Sequence, residues 1–308
     1  MPDSETDQTM DAIALSMEGI TKRFPGTLAV DHVDLDVRVG EVHALMGENG
    51  AGKSTLMKIL TGVYGDYAGR IRIGGREARI DSPGAAKEHG IGMVYQELSL
   101  ARPLSIAENV LVGRLPCRRW GLLDRTAMQR ETRHCLASVG LVLDPWALVE
   151  EISQHEAQLV EIAKVLGNVP CILILDEPTS SLSREEVHRL FQIIRDLRRR
   201  GLAIIYISHH LQEVFEIADR VTVLRDGRKI GTRDVAETTP QMLVQMMVGQ
   251  SIDEFYARRT PRIGDSALCV NGLTRYGFFH DVSFHVRRGE IVGFAGLSGA
   301  GRTEVARS

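Results

Sequence analysis

Gly47-Glu48-Asn49-Gly50-Ala51-Gly52-Lys53-Ser54-Thr55 is the stretch that decides how this chain folds. It satisfies the pattern G-x-x-x-x-G-K-[S/T], a glycine-rich loop that cradles phosphate. Its surroundings agree. Val42-His43-Ala44-Leu45-Met46 is a short apolar run suited to a buried strand, and Thr55-Leu56-Met57-Lys58-Ile59-Leu60 opens a helix. The glycines permit positive φ and let several N–H groups converge on one anion. The helix N-terminus adds partial positive charge. Lys53 supplies a full charge for the β- and γ-phosphates, and the Ser54 hydroxyl is a ligand for Mg²⁺.

The bulk numbers narrow the rest. A chain of 308 residues has room for about two domains. With 44% hydrophobic and 25% charged residues, the balance is that of an ordinary soluble protein. The net charge of −3 leaves no basic excess to release counterions, which argues against nucleic acid as the main partner. Apolar runs such as Cys171-Ile172-Leu173-Ile174-Leu175 are too short to span a bilayer. The acidic, polar N-terminus does not read as a signal peptide. Cys117, Cys135, Cys171 and Cys269 are widely spaced and read as reduced thiols of a cytosolic protein.

Along the chain, residues 1–10 are polar and predicted to be disordered. Strands are predicted over 12–20 and 29–39, with a turn over 21–26. Phe24 falls in that turn, where it either stacks on an adenine or caps a sheet edge. The strand predicted over 91–95 runs into Gln96, a polar amide at a carboxyl end, where such folds meet ligands. Residues 98–165 carry helical periodicity without a strong strand and read as an inserted helical subdomain. The apolar strand over 171–175 leads into Asp176-Glu177-Pro178-Thr179. Asp176 can hold Mg²⁺ through water, and Glu177 can orient or deprotonate an attacking water. Adjacent carboxylates behind a buried strand are costly without a cation nearby. Ser183 and Glu186 form a capping box, and Arg198, Arg199 and Arg200 before Gly201 read as a helix stop rather than a nucleic-acid patch. The strand over 203–207 ends in Ser208-His209-His210, and His209 can donate to a γ-phosphate. Asp226-Gly227 marks a hairpin; residues 241–248 read as a helix and 251–266 as a linker.

The chain also repeats itself. Gly40-Glu41-Val42 recurs as Gly289-Glu290-Ile291, and the loop returns as Gly296-Leu297-Ser298-Gly299-Ala300-Gly301-Arg302-Thr303. Residues 282–286 match 33–39 as the preceding strand. A second copy of the domain is therefore expected to begin near Ala267 and to stop incomplete at Ser308. Residues 267–308 are expected to pack poorly by themselves.

Taken together, these motifs resemble the ATP-binding cassette (ABC) ATPases across residues 12–308. Phe24 matches the adenine-stacking aromatic, residues 47–55 the Walker A loop, Gln96 the Q-loop, Asp176 and Glu177 the Walker B segment, and His209 the H-loop. Val160-Glu161-Ile162-Ala163-Lys164, Tyr206-Ile207-Ser208-His209, Phe215-Glu216-Ile217-Ala218-Asp219 and Met246-Met247-Val248-Gly249 are similar to the tandem ATPase subunits of monosaccharide (ribose/galactose/xylose-type) importers. Arg302, in place of a second loop lysine, also matches that subfamily. The resemblance implies an α/β P-loop NTPase of ABC type, with a mixed central sheet, an antiparallel β subdomain and an inserted helical subdomain. It implies a first domain over 11–250, helical over about 98–165, and the start of a second over 267–308. It further implies ATP and Mg²⁺, the latter held by Ser54, Gln96 and Asp176. The implied setting is the cytoplasmic face of the inner (plasma) membrane, against a sugar permease served by a periplasmic sugar-binding protein, with a second ABC domain or a homodimer completing the sites. Two other classes stay open: a soluble ABC ATPase without a transporter, and a nucleotide-dependent regulatory module with weak turnover.

One departure stands out. The family's signature loop reads close to Leu-Ser-Gly-Gly-Gln, whereas this chain has Ile152-Ser153-Gln154-His155-Glu156. The lost glycines would have let backbone N–H groups approach a γ-phosphate, and Glu156 places a negative charge there. Ser183 likewise replaces a D-loop aspartate. In the head-to-tail pairing of the family, this signature faces the P-loop carrying Gly296, Gly301, Arg302 and Thr303. Both departures then fall in one degenerate site, and the other site keeps Lys53, Asp176, Glu177 and His209.

Overall fold

The computed structural model describes residues 12–180, 182–249, 263–296 and 300–308. The tail predicted over 1–10, residues 251–262 of the predicted linker, and Leu297, Ser298 and Gly299 of the second loop lie outside the described residues. The chain divides into two compact units, Met1–Ile252 and Asp253–Ser308.

In the first unit, β1 (Ile13–Phe24) and β2 (Thr27–Arg38) form a long antiparallel hairpin. After β3 (Val42–Met46) and α1 (Lys53–Leu60), β4 (Ala68–Ile73) and β5 (Arg76–Glu77) join that hairpin in a four-stranded sheet ordered β2-β1-β4-β5. Strand β1 alternates in burial along much of its length, as a sheet with one face on a core must. The remaining strands are β6 (Ile91–Val94), β7 (Ile172–Asp176), β8 (Ala203–Ile207), β9 (Arg220–Arg225) and β10 (Arg228–Asp234). With β3 they make a second sheet ordered β10-β9-β3-β8-β7-β6, parallel except for its β10 edge. Every residue of β3 and β8 is buried, because a parallel sheet is covered on both faces.

Apolar cores follow from that coverage on both faces. On one face, Leu56, Met57, Ile59 and Leu60 of α1 pack with Leu15, Ile20 and Val33 of the antiparallel sheet. On the other lies a helical layer: α3 (Ile106–Val110), α4 (Arg125–Ser138), α5 (Gln154–Leu166) and α6 (Arg184–Arg199). The short α2 (Pro83–Glu88) precedes β6, while α7 (Leu211–Ile217) and α8 (Pro240–Val248) pack near β9. Phe191 of α6 meets Tyr206 of β8 edge to face, centroids 6.1 Å apart, and both are fully buried. The predicted capping box is present: the Glu186 amide donates to Ser183 Oγ at 3.4 Å, and the Ser183 amide donates to the Glu186 carboxylate at 2.7 Å. Arg198 pairs with Asp219 and Arg199 with Asp196, consistent with a helix stop.

A buried polar chain lies under β3. His43 is fully buried; its Nδ1 lies 2.8 Å from Glu41 Oε1 and its Nε2 2.7 Å from Thr222 Oγ1, which in turn meets Thr232. Arg220 bridges Glu41 to Asp36, and Asp219 accepts from the Val42 amide. Those bonds satisfy groups that would otherwise be orphaned in the core, and they tie β2, β3, β9 and β10 together.

One expectation needs correcting. Phe24 does not sit in a turn. Strand β1 continues to Phe24, which pairs with Thr27, so the turn is only Pro25-Gly26. Pairing of Thr21 with Ala68 of β4 and of Lys22 with Val30 of β2 overrides the weak strand signal over 21–24.

The second unit holds β11 (Ser266–Arg275), β12 (Phe279–Arg287) and α9 (Arg302–Ala306). Strand β11 begins at the last residue of the predicted linker. The new hairpin reproduces the first in register: Met17↔Leu35, Ile20↔Val33 and Lys22↔Val30 return as Val270↔Phe284, Leu273↔Val282 and Arg275↔Phe279. Local bonds return too. The His32 amide donates to Thr21 Oγ1 at 3.1 Å, and the Asp281 amide to Thr274 Oγ1 at 2.9 Å. The counterpart of β3 does not form a strand among the described residues. Ile291 is 97% exposed where Val42 is fully buried, because β3 owes its strand character to pairing with β8 and β9.

Phe191→Ala is expected to destabilise the first unit by about 3–5 kcal/mol, the cost of an aromatic-sized cavity. Urea unfolding of the full chain followed at two wavelengths checks this, with the midpoint falling and the slope unchanged.

Candidate functional site

Strand β3 ends at Met46 and α1 begins at Lys53, so residues 47–52 make the turn between sheet and helix. Gly47 (φ 154°) passes under the Leu224 carbonyl of β9, and Gly52 (φ 99°) under the Ala29 carbonyl of β2. A Cβ would stand 2.3 Å and 2.7 Å from those oxygens, so no other residue fits. The first turn of α1 leaves its leading N–H groups without intrahelical acceptors, facing the same opening.

Lys53 is 8% exposed, and its Nζ donates to the carbonyls of Gly47 (2.6 Å) and Glu48 (3.0 Å). Burial pulls its ammonium below the usual lysine value, and the carboxylates of Glu177 and Asp176 oppose that pull. Asp176 is pushed above the usual carboxylate value by burial and then by repulsion from Glu177; Lys53 and Lys58 offset part of this. A site with a desolvated lysine and a carboxyl reluctant to ionise is suited to a further cation and a polyanion.

A cleft of about 530 Å³ collects most of the predicted residues: Asn49, Gly50, Ala51, Gly52, Lys53, Ser54 and Thr55 from the loop, Gln96 two residues beyond β6, and Asp176 and Glu177 at the end of β7. Gly47 and Glu48 lie behind it, with their carbonyls on Lys53. His209 does not line the cleft, but its Nδ1 is 2.9 Å from Glu177 Oε1. Phe24 is not part of the lining either. Its ring packs edge-on to Tyr64 at 5.2 Å, with Lys22 Nζ 5.0 Å from its centroid. Its hairpin partner Thr27 does line the cleft, with Leu28, Ala29, Asp226 and Gly227.

Glu177 adopts φ 46°, and its amide donates to the Ile207 carbonyl at 3.0 Å. A left-handed residue before Pro178 is strained and persists only where its surroundings fix it. Glu213 supplies part of that fixing. Its carboxylate accepts from Thr179 Oγ1 (2.8 Å), Tyr206 OH (2.8 Å) and Ser208 Oγ (2.7 Å), joining the segment after β7 to the end of β8. Burial and this carboxylate raise the Tyr206 phenol. Sequence reading missed Glu213: it lies four residues beyond His209 on α7, and only folding brings Thr179 to it.

The residues of the eroded signature lie elsewhere. Ser153 caps α5, and Glu156 turns back onto it: its Oε2 accepts from the Ser153 amide and hydroxyl, each at 2.8 Å. Gln154 begins α5 and lines a groove that also includes Gln96. His155 is buried, and its Nδ1 has no hydrogen-bond partner among the described residues. In the second unit, Gly301 (φ 79°) precedes α9, which Arg302 and Thr303 begin, as Gly52 precedes α1; Gly296 is the counterpart of Gly47.

Against known proteins, residues 30–180 match the family model described as ABC transporter. A ribose import ATP-binding protein of Streptomyces avermitilis is 51% identical over 294 residues, covering 96% of this chain and 56% of that protein. One of Rubrobacter xylanophilus is 52% identical over 294 residues, covering 96% and 58%. A putative ribose/galactose/methyl galactoside import ATP-binding protein of Agrobacterium fabrum is 49% identical, covering 96% and 57%. The chain thus spans little more than half the length of the curated relatives it matches. Among solved structures, an ATP-binding cassette of an ABC transporter in its ADP conformation superposes with a TM-score of 0.67 at 24% identity, covering 77% of this chain and 99% of that one. A component of the cbiONQ ABC transporter complex of Clostridium perfringens gives 0.66 at 25% identity, covering 80% and 98%.

The raised Asp176 carboxyl sets a pH dependence. Its protonated form favours the fold, so its contribution is intact below the ordinary value of 3.8 and is lost as pH rises through the raised one. Asp176→Asn, neutral throughout, is expected to raise the melting temperature of the ligand-free protein at neutral pH. The gain should fade as pH falls toward the ordinary carboxylate range, which thermal scans across that interval measure.

Proposed function

Because the chain belongs to the ABC transporter family, we propose that it is the ATP-hydrolysing part of an importer that carries a monosaccharide of ribose or galactose type through a membrane permease. The relatives, ribose and ribose/galactose import ATP-binding proteins, support the substrate class. No helix among the described residues is long and apolar enough to cross a membrane. In this reading the permease supplies the membrane path, and the chain sits against its cytoplasmic face. A periplasmic sugar-binding protein would serve that permease.

The observation that carries the reading is the meeting of Gln96, Asp176 and Glu177 with the loop residues 49–55 in one cleft. In this proposal Lys53 and the loop amides hold the β- and γ-phosphates of ATP. Ser54, Gln96 and Asp176 suit Mg²⁺, which takes a few protein oxygens and leaves other positions to phosphate and water. Bound Mg²⁺ would neutralise charge on the phosphates. Glu177 orients the attacking water and accepts its proton, and His209, held by Glu177, stabilises charge on the transferred phosphoryl. Phe24, beside the lining residue Thr27, is the aromatic this proposal assigns to the adenine.

The proposed assembly pairs two cassettes head to tail, the second beginning in residues 267–308 or in another copy of this chain. The site built from residues 152–156 and the Arg302 loop is then non-hydrolytic. In support, the Ser153 hydroxyl and amide are already engaged by Glu156. That same observation favours a second reading, a nucleotide-binding regulatory module with weak turnover.

Glu177→Gln decides between them. Turnover of Mg·ATP, read as phosphate release, is expected to fall by roughly 10²-fold or more while fluorescent-ATP binding persists. Lys53→Ala is expected to lose both. Unchanged turnover in Glu177→Gln would leave the regulatory module standing.

A further inference from the structure

A second cleft, of about 700 Å³, opens at the opposite ends of the strands that carry the proposed catalytic residues. Pro170 and Cys171 lead into β7 and Gly201 and Leu202 into β8, and all four line it; the carboxyl ends of the same strands lead to Asp176, Glu177 and His209. Its other walls come from α4, from the end of α5 and from Arg114 beyond α3. It is comparable in volume to sites that take small organic ligands.

Three features give this cleft a chemical character. The first is its apolar lining: Leu166, Leu197 and Leu202, with Pro170 beside them. The second is charge. Arg114, Arg130 and Arg200 line it against one carboxylate, Glu131, with His134 alongside. Among the described residues none of the three guanidinium groups has an ion-pair partner. Arg114 is set in place: its Nη2 donates to the Val110 carbonyl at 3.3 Å and lies 3.7 Å from Cys135 Sγ. A Cβ on Gly167 would stand 1.8 Å from that nitrogen, so a glycine there leaves room for the guanidinium. The third is strain. Val169, on the rim, is 85% exposed and adopts φ 51° immediately before Pro170. A β-branched residue in the left-handed region before a proline is a real outlier. The other end of β7 carries the same arrangement, Glu177 at φ 46° before Pro178, where it lines the first cleft. Such strain gathers at ligand sites.

We propose that this cleft binds a small anionic amphiphile, a molecule with one carboxylate-type head for the arginines and an apolar body for the leucines. A neutral apolar molecule would leave the guanidinium groups unpaired, and a polyanion without an apolar body would leave uncovered the apolar surface around Leu166 and Pro170, behind which Leu197 and Leu202 are buried. The occupant touches both the helical layer and the residues entering β7 and β8, so it holds the two together. This inference is independent of the transport reading.

Titration calorimetry on the full chain tests it, with decanoate, 1-decanol and decylammonium as probes below their aggregation concentrations. Decanoate is expected to bind saturably and roughly tenfold or more tighter than the other two. Arg130→Glu combined with Arg200→Glu is expected to weaken decanoate by at least about tenfold while fluorescent-ATP binding is unchanged. Equal binding of decanoate and decanol, no saturable decanoate binding, or a doubly substituted protein that binds as before would each overturn the proposal.

Discussion

The carbonyl oxygen of Leu224 occupies the place where any side chain on Gly47 would have to go. That single steric constraint, matched by the Ala29 carbonyl over Gly52, presses the loop after β3 between β9 and the β1–β2 hairpin. The loop then has one path, and the path buries Lys53. A buried ammonium needs acceptors, and it finds the carbonyls of Gly47 and Glu48, with the carboxylates of Asp176 and Glu177 acting at longer range. Backbone packing thus comes first in the chain of causes, and the electrostatics of the cleft follow from it.

Two polar systems keep that geometry from drifting. Beneath the loop, the Glu41–His43–Thr222–Thr232 chain locks β3 to its neighbours from inside the core. Beside it, Glu213 gathers three hydroxyls from the ends of β7 and β8. Each replaces hydration lost on burial with directed bonds, which fix the strands in register rather than merely in contact. Glu177 is held in its unusual backbone conformation between the Ile207 carbonyl and this second system.

Much of this is readable from residue order, because the informative positions are local. A loop that needs glycines, a run of five apolar residues, and a polar residue just past a strand are all visible within a dozen letters, and they single out Lys53, Gln96 and Asp176, which the fold gathers in one cleft, and His209, which lies outside the lining, against Glu177. The unreadable part is the part made by distant pairing. Phe24 belongs to a strand because residues around it meet Val30 and Ala68, and nothing in Lys22-Arg23-Phe24 announces that. His43 passes unremarked in an apolar run, because its partners Glu41 and Thr222 stand on opposite sides of it in sequence, one of them far away. Glu156 reads as an intrusive charge in a phosphate-facing loop; folded, it is spent on a helix cap.

The two hairpins also show what a sharp bend requires. Gly19 and Gly272 share φ 61°, and His32 and Asp281, chemically unlike, share φ near 50° with the same threonine hydroxyl beneath them. One main-chain curve is thus reached with two unlike side chains, because what it demands is a left-handed residue whose amide a threonine hydroxyl receives, and the side chain itself is left unspecified.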